Sequence, residues 1–350
     1  MAVNSFTYNF DEILSTTLLN YRKKMMDNVF LENPTWRYFH APGRKKTESG
    51  GERLVKPVQY GKNTTTGSYS GYDQIDITPQ DNQTSVFYNW KQFGGSIVID
   101  GMSEFKNKEP HRVVSLLQAK ISEAEATMVE DLNDMLWKAT PASTKDILSI
   151  PSFVVRAPST TDAQSPGGIS GATYSWWRNQ TKTSAATTWA AVVREAKHVY
   201  YLCKTGIGGF PDAAICNLET YEYIENTIAD LTRYTNPDLA PKTKRSPVVE
   251  NMRFKGATLW YDDHIADAYG DATTAYDYGS AVYGSLYFLN SKYLYYVVGE
   301  GMDFEVGKFV KTDVTGQDAR LALIKHYHAL VCDQRRKHGV LEKINKALTS

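Results

Sequence analysis

The sequence holds only three cysteines, Cys203, Cys216 and Cys332, an odd number at wide separations. No two of them have the spacing of a redox pair or of zinc ligands, which argues against a disulfide framework and leaves them as reduced, mostly buried thiols. An excess of charge of either sign is also missing, since 39 Lys and Arg stand against 39 Asp and Glu. A neutral chain has no net field to gather nucleic acid or an anionic membrane surface, so a sequence-reading DNA binder is disfavoured. Neutrality is compatible with enclosing nucleic acid, whose phosphates keep their own counterions when nothing basic lines the wall. No segment approaches the roughly 20 apolar residues of a membrane span. The first 14 residues carry Asp11 and Glu12 and lack a basic start followed by an apolar run, so no secretory signal is expected.

Catalytic signatures are scarce in the same way. There is no Gly-x-Ser-x-Gly elbow, and no cysteine sits in a nucleophile-like context. Gly206-Ile207-Gly208-Gly209 is the one candidate phosphate cradle, but it follows a predicted helix and precedes no Walker-type lysine, so it reads as a helix-ending turn. His326 and His328 would share a face of a strand and could ligate one metal, although no third ligand is in view. Aromatic packing or surface polarity explains them more simply. Asp262-Asp263-His264 and Glu300 could be recruited as further ligands, but nothing in the sequence places them nearby, and adjacent carboxylates such as Asp262-Asp263 are common on surfaces. Arg335-Arg336-Lys337 reads as a solvated basic end.

What the chain does have is length, pattern and tyrosine. Its 350 residues, 42% hydrophobic, suit one large or two intertwined domains. Asn9 and Glu12 resemble a capping box ahead of Leu14, Leu18, Tyr21, Met25 and Val29, which predicts an amphipathic helix over 10–30 that ends before Asn33-Pro34. Residues 41–51 are polar and basic and read as loop. From 52 to 101 the character becomes β: an apolar 54–58 segment, a Gly-, Thr-, Ser- and Tyr-rich tip over 61–71, and a second strand over 86–100, together a long hairpin. Residues 62–70 contain no aliphatic side chain, and a two-stranded hairpin without a packed face is marginal in water, so the arm needs a surface to lie on.

The clearest helix opens near Pro110 and runs to about Trp137, with Val113, Leu117, Ile121, Ala124, Met128, Leu132 and Met135 or Leu136 on one stripe, about 42 Å in all. Residues 138–171 read as a connector. Helices are expected over 188–203 and 218–231, strands over 213–216, 258–261, 285–290, 293–298 and 319–332, and a proline-marked loop at Pro237, Pro241 and Pro247. No internal repeat is present. The fold class is α+β. Tyrosine is the compositional outlier, 23 residues including Tyr60, Tyr69 and Tyr72 in the hairpin tip. Tyrosine suits half-wet contacts, so either an extensive subunit interface or a tyrosine-rich core would account for it.

Several stretches resemble the HK97-type capsid proteins of tailed bacteriophages. They are Gly50-Gly51-Glu52-Arg53, Tyr69-Ser70-Gly71-Tyr72-Asp73, Thr78-Pro79-Gln80-Asp81, Asn89-Trp90-Lys91-Gln92, Gly167-Gly168-Ile169, Thr173-Tyr174-Ser175-Trp176-Trp177-Arg178-Asn179, and Phe254-Lys255-Gly256 leading to Trp260-Tyr261-Asp262-Asp263. Their order, together with the order of arm, hairpin, long helix, mixed middle and returning strand, carries the resemblance over nearly the whole chain.

The resemblance implies an N-terminal arm (1–50), an extended hairpin or E-loop (51–104), a peripheral domain with a spine helix (105–146), a mainly axial domain (147–300), and returning strands with the C-terminus (301–350). It implies a non-enzymatic major capsid protein without cofactors. Such a subunit forms hexamers and pentamers of an icosahedral shell around double-stranded DNA, without reading its sequence, and is assembled in the bacterial cytoplasm and located in the virion. Portal and scaffolding proteins, and in some shells decoration proteins, are the implied partners; no membrane is. The implied subunit contacts lie on the arm and E-loop: Arg22, Lys23, Glu52, Arg53, Tyr60, Lys62, Asn63, Tyr69, Tyr72, Asp73, Trp90 and Lys91. Lys62 stands where some members carry a crosslinking lysine; here the shell is expected to hold without covalent links. No cleaved scaffolding segment is expected, because the hairpin begins by about Gly51. Rival readings are an encapsulin-like nanocompartment, a tail or appendage protein, and a hydrolase built around Asp262, Asp263, His264 and the late histidines.

Overall fold

A computed structural model describes residues 33–106, 116–139, 141–160, 162, 164–204, 209–235, 253–265, 283–311, 318–345 and 348. The expected helix over 10–30 with Arg22 and Lys23, the opening of the long helix, Gly206 to Gly208 and the proline-marked loop lie outside these residues. The chain divides into two compact units, one comprising 1–30, 94–128 and 306–324, the other 31–93, 129–305 and 325–350.

The core of the larger unit is a six-stranded mixed sheet in the order β5-β14-β9-β6-β8-β7, where β5 is Gln180–Thr183, β6 Ala213–Cys216, β7 Arg253–Phe254, β8 Ala257–Tyr261, β9 Tyr283–Leu289 and β14 Gly339–Asn345. Its strands are apolar on both faces. Ala214, Cys216, Leu286, Phe288 and Leu341 point to one cluster, while Ala213, Ile215, Tyr287, Leu289 and Val340 alternate into another. On the first face lies α5 (Trp189–Leu202), whose Val192, Val193, Ala196, Val199 and Tyr200 form its buried stripe. The Thr188 hydroxyl accepts the Ala191 N–H and caps the helix start. Helix α6 (Leu218–Thr235) follows β6 and runs one turn beyond the expected end. The three cysteines are free and buried. Burial pushes the Cys203 thiol up to about 12, and those of Cys216 and Cys332 also upward.

On the second face, β10 (Leu294–Gly299) pairs antiparallel with the end of β13 (Ala319–Cys332), from Leu294 opposite Cys332 to Val298 opposite His328. Strand β1 (Lys45–Glu48) joins β10 in parallel, where the sequence suggested only loop. Its side chains are polar because it is an edge: the main chain does the pairing, and Lys46 lies over the Tyr295 ring. A short helix not anticipated from the sequence, α1 (Pro34–His40), precedes it. Its proline occupies the first turn, where no N–H is required.

The hairpin differs from expectation at one point. Strands β2 (Arg53–Gln59) and β3 (Gln83–Asn89) pair in full register from Arg53 opposite Asn89 to Gln59 opposite Gln83. The chain then breaks at Trp90, and β4 (Lys91–Asp100) pairs with β13 instead of extending the hairpin. The base of the hairpin also buries itself on its own chain, for Leu54, Val58, Val86 and Tyr88 point into the core and the Tyr88 hydroxyl donates to the Cys332 carbonyl. The alternation of 54, 58, 86 and 88 supplies the packed face that the tip composition seemed to deny.

This seat depends on a turn at Pro166–Gly168. Gly167 and Gly168 adopt φ of 76° and 79°, and a Cβ on Gly167 would stand 2.8 Å from the Val86 Cβ. Gly167→Ala is therefore expected to cost about 2 to 4 kcal/mol, from left-handed strain plus overpacking. Chemical denaturation of the purified variant checks this; an unchanged midpoint would mean that the turn moves aside freely.

In the smaller unit, β12 (Val310–Lys311) pairs with β13 at Leu321 and Arg320, and the Gly101 N–H donates to the Asp318 carbonyl at the start of α2 (Gly101–Lys106). Ile97, Met128, Ala322 and Ile324 are its buried apolar side chains among the described residues. Helix α3 (Leu116–Trp137) contributes residues 116–128 here and continues into the larger unit with Leu132 and Leu136 buried, as the stripe predicts, and Trp137 buried as well.

Candidate subunit interface

The hairpin tip is the part of the larger unit that its own fold leaves uncovered. Every residue from 66 to 81 is exposed. Short polar motifs hold its course: Asn63 Oδ1 accepts the Thr65 N–H and hydroxyl, Asp76 Oδ1 accepts the same pair from Thr78, and the Gln80 amide donates to the Thr64 hydroxyl. These turns are local, so they shape the tip without packing it.

The sequence-derived contact residues divide into two groups. Glu52, Lys62, Tyr69 and Tyr72 are exposed, Tyr72 completely. Asn63 and Asp73 are exposed but serve the turns, Asp73 accepting the Ser70 N–H. Arg53 stands over the Phe87 ring on the outer face of the hairpin. Among the other described ones, Tyr60, itself 39% exposed, stacks on Trp176 and donates to the Asp81 carbonyl, Trp90 donates from its indole to the Gly51 carbonyl, and Lys91 donates to the Thr144 carbonyl. These three buttress the hairpin.

Two residues escaped the sequence reading, Ile75 and Ile77, with 57% and 91% of their surface exposed. Their signal was legible, as an Ile-x-Ile alternation in an otherwise polar run from Asp73 to Gln83. Val55 and Phe87, a directly opposed pair on the outer face, are likewise exposed. These four exposed apolar side chains share one hairpin, away from the core that seats its base, while others such as Tyr174 and Tyr201 lie elsewhere.

The residues considered for chemistry are engaged in structure. Among the described residues no group of three or more His, Cys, Asp or Glu is arranged to hold a metal ion. Asp262 is not a surface carboxylate but fully buried, accepting from Thr35, Asn133, Trp137 and His264. His326 and His328 are buried among aromatic rings. Arg335 and Lys337 are buried as well, which corrects the solvated basic end: Arg335 ion-pairs with Asp162, and Lys337 lies beside the Tyr293 ring. A pocket of about 250 Å³ beside the hairpin seat is lined by Phe87, Tyr88, Lys91, Gln164, Ser165 and neighbours, with no histidine, cysteine or carboxylate. No helix among the described residues is long and apolar enough to cross a membrane.

No protein-family model and no curated protein matches the chain. Solved structures do. A chain of the cyanophage A-1(L) capsid asymmetric unit superposes with a TM-score of 0.62 at 14% identity, over 95% of this chain and 99% of that one. The cyanophage Pam1 capsid asymmetric unit gives 0.57 at 13% identity, over 98% and 99%. The SrpI encapsulin of Synechococcus elongatus PCC 7942 gives 0.52 at 9% identity, over 95% of both chains. End-to-end agreement at such low identity is agreement of backbone paths, and the fold of this chain is the α+β, HK97-like fold of phage capsid structures.

Proposed function

We propose that this chain is the major capsid protein of a tailed phage, assembling into hexamers and pentamers of an icosahedral head around double-stranded DNA. The observation that carries this reading is the correspondence over 95% of this chain and 99% of a chain in a phage capsid asymmetric unit. The role is structural, and the E-loop (51–104) and arm (1–50) supply contacts to neighbouring copies. The exposed Tyr69, Tyr72, Ile75 and Ile77 side chains suit that role, since apolar area left in water on one copy is covered by another. Residues 105–146 then serve as the peripheral domain, 147–300 mainly as the axial domain, and 301–350 as the returning strands. Portal, scaffolding and decoration proteins are the partners this role requires or allows. Lys62 is exposed, and the shell holds without a crosslink through it; a ladder of multimers in denaturing mass analysis would overturn that.

An encapsulin-like shell is the second reading, favoured by the likeness to the SrpI structure. Electron microscopy of the purified protein, expressed with and without a candidate scaffolding partner, tests both. Closed shells support a shell protein, and their contents, DNA or an enzyme cargo, separate the two readings. Persistent monomers in both preparations would sink both.

The tip gives a sharper measurement. Ile75→Asp with Ile77→Asp is expected to leave the subunit folded, because both side chains are exposed and outside the core, while the assembled fraction falls at least about tenfold. Size-exclusion chromatography with circular dichroism reads both effects. Full assembly of the doubly substituted protein would remove the tip from the interface.

A further inference from the structure

Three histidines converge on one aromatic pocket of the larger unit. His40 ends α1, and His326 and His328 lie on β13. The His40 ring stacks on Trp36 at 3.8 Å and lies 5.2 Å from Tyr296. His326 stacks on Phe304 at 4.4 Å, and its ring stands 4.8 Å from that of His328. Each has one buried ring nitrogen without a hydrogen-bond partner: His40 Nε2, His326 Nδ1 and His328 Nδ1. The other nitrogens of the first two are engaged, His40 Nδ1 donating to the Trp36 carbonyl and His326 Nε2 accepting from the Tyr296 hydroxyl at 3.0 Å.

We propose that this cluster is an acid-released latch, which clasps the end of α1 and strand β1 onto β10 and β13 at neutral pH and lets them go when the imidazoles take up protons. Protonation places a new N–H on His40 Nε2, which faces no acceptor, and on His326 Nε2, which must then give up the bond it accepts from Tyr296, and two imidazolium ions 4.8 Å apart repel. The element that yields is the weakest one on the pocket. Strand β1 has four residues, pairs on one side with β10, and carries polar side chains, so it opens at lower cost than the buried strands.

The charged groups facing the pocket agree with this direction. Lys45 on β1 and Lys91 at the start of β4 disfavour charge on the rings, and Asp303 favours it on His326 and His40. Asp303 Oδ1 lies 3.4 Å from His326 Nδ1, too poorly aligned for a hydrogen bond, while its other oxygen holds Lys45. The phenol of Tyr296 stays neutral, burial pushing it upward. Burial lowers His40 and His326 to about 4 and His328 well below the usual range. A depressed histidine stabilises fully above its unfolded value of about 6.5, and that contribution is lost as pH falls from there toward about 4. The start of α1 answers to a different group, for Thr35 is held by Asp262 beside His264, whose own shift is upward. Release therefore begins at the far end, over residues 38–48.

Hydrogen–deuterium exchange of the full chain at about pH 7 and about pH 5, corrected for chemical exchange rate, tests the latch. Peptides spanning 38–48 are expected to gain at least about tenfold in exchange relative to β9 and β14, reversibly. His328→Gln should shift the midpoint of that gain by about one pH unit, and His40→Gln, at the rim, provides the same reading if the first variant does not fold. Uniform acid opening of the whole unit, or a midpoint that neither substitution moves, overturns the proposal.

Discussion

Arg335→Met is expected to lower the stability of the larger unit by about 3 to 5 kcal/mol, a fall in Tm of roughly 10 °C. Arg335 and Asp162 have no exposed side-chain surface, and their two contacts of 2.7 and 3.2 Å form a bidentate pair. Arg335 Nε also donates to the Phe153 carbonyl, and Asp162 accepts the Gly171 N–H. The pair ties the turn after β13 to the connector that seats the hairpin. Methionine fills most of the volume but leaves the Asp162 carboxylate uncompensated in a low-dielectric site, and that desolvation is the main cost. Adding Asp162→Leu should recover most of the loss, since an apolar pair of similar volume needs no desolvation. Differential scanning calorimetry of the single and double substitutions decides the matter; a single variant as stable as the parent would show that water reaches the site.

The second large effect belongs to Asp262. Its carboxylate accepts the Thr35 hydroxyl at 2.5 Å, the Trp137 indole N–H at 3.1 Å, the Asn133 amide at 3.2 Å, and both the N–H and the Nδ1–H of His264 at 3.0 Å. Asp262→Ala removes the acceptor of five donors on four residues, at about 1 to 3 kcal/mol for each one left unsatisfied in the interior, so a loss of at least about 4 kcal/mol is expected. Burial alone would raise this carboxyl; hydrogen bonds from His264, Thr35 and Asn133 outweigh it and hold it below the usual range. His264 is raised, chiefly by its bond to Asp262. The carboxylate contributes above its unfolded value of about 3.8 and loses that contribution as pH falls through its lower folded value. The imidazolium contributes below about 6.5 and fades as pH rises through its higher folded value. The hub is thus strongest between about pH 4 and 6.5, and Asp262→Asn should flatten the falls in stability on either side of that window. A curve of unchanged shape would remove the pair as its source.

Much of the fold was legible in the residues themselves. The capped, striped helix at 188–203, the strands at 213–216 and 319–332 and the stripe of the long helix all appear within a residue or two, because their apolar spacing matches one period and their burial is nearly complete. Strand β1 and helix α1 were not legible. One is polar because its partner needs only its main chain, and the other is short, so neither carries a period long enough to read.

The candidate site shows the same division. That the tip is a thin arm follows from 16 exposed residues in a row, and their polarity announced it. Which of its residues are also engaged by their own chain did not follow, since Tyr60, Trp90 and Lys91 read like their neighbours until the chain folds back and supplies Trp176, Gly51 and Thr144 as partners. Composition and periodicity specified the class of fold, the placement of its main elements and the absence of familiar catalytic patterns. The fates of Asp262 and Arg335 were settled by folding alone, because the burial of a polar side chain depends here on donors and acceptors brought from more than a hundred residues away, and those of His326 and His328 by the aromatic rings that close over them.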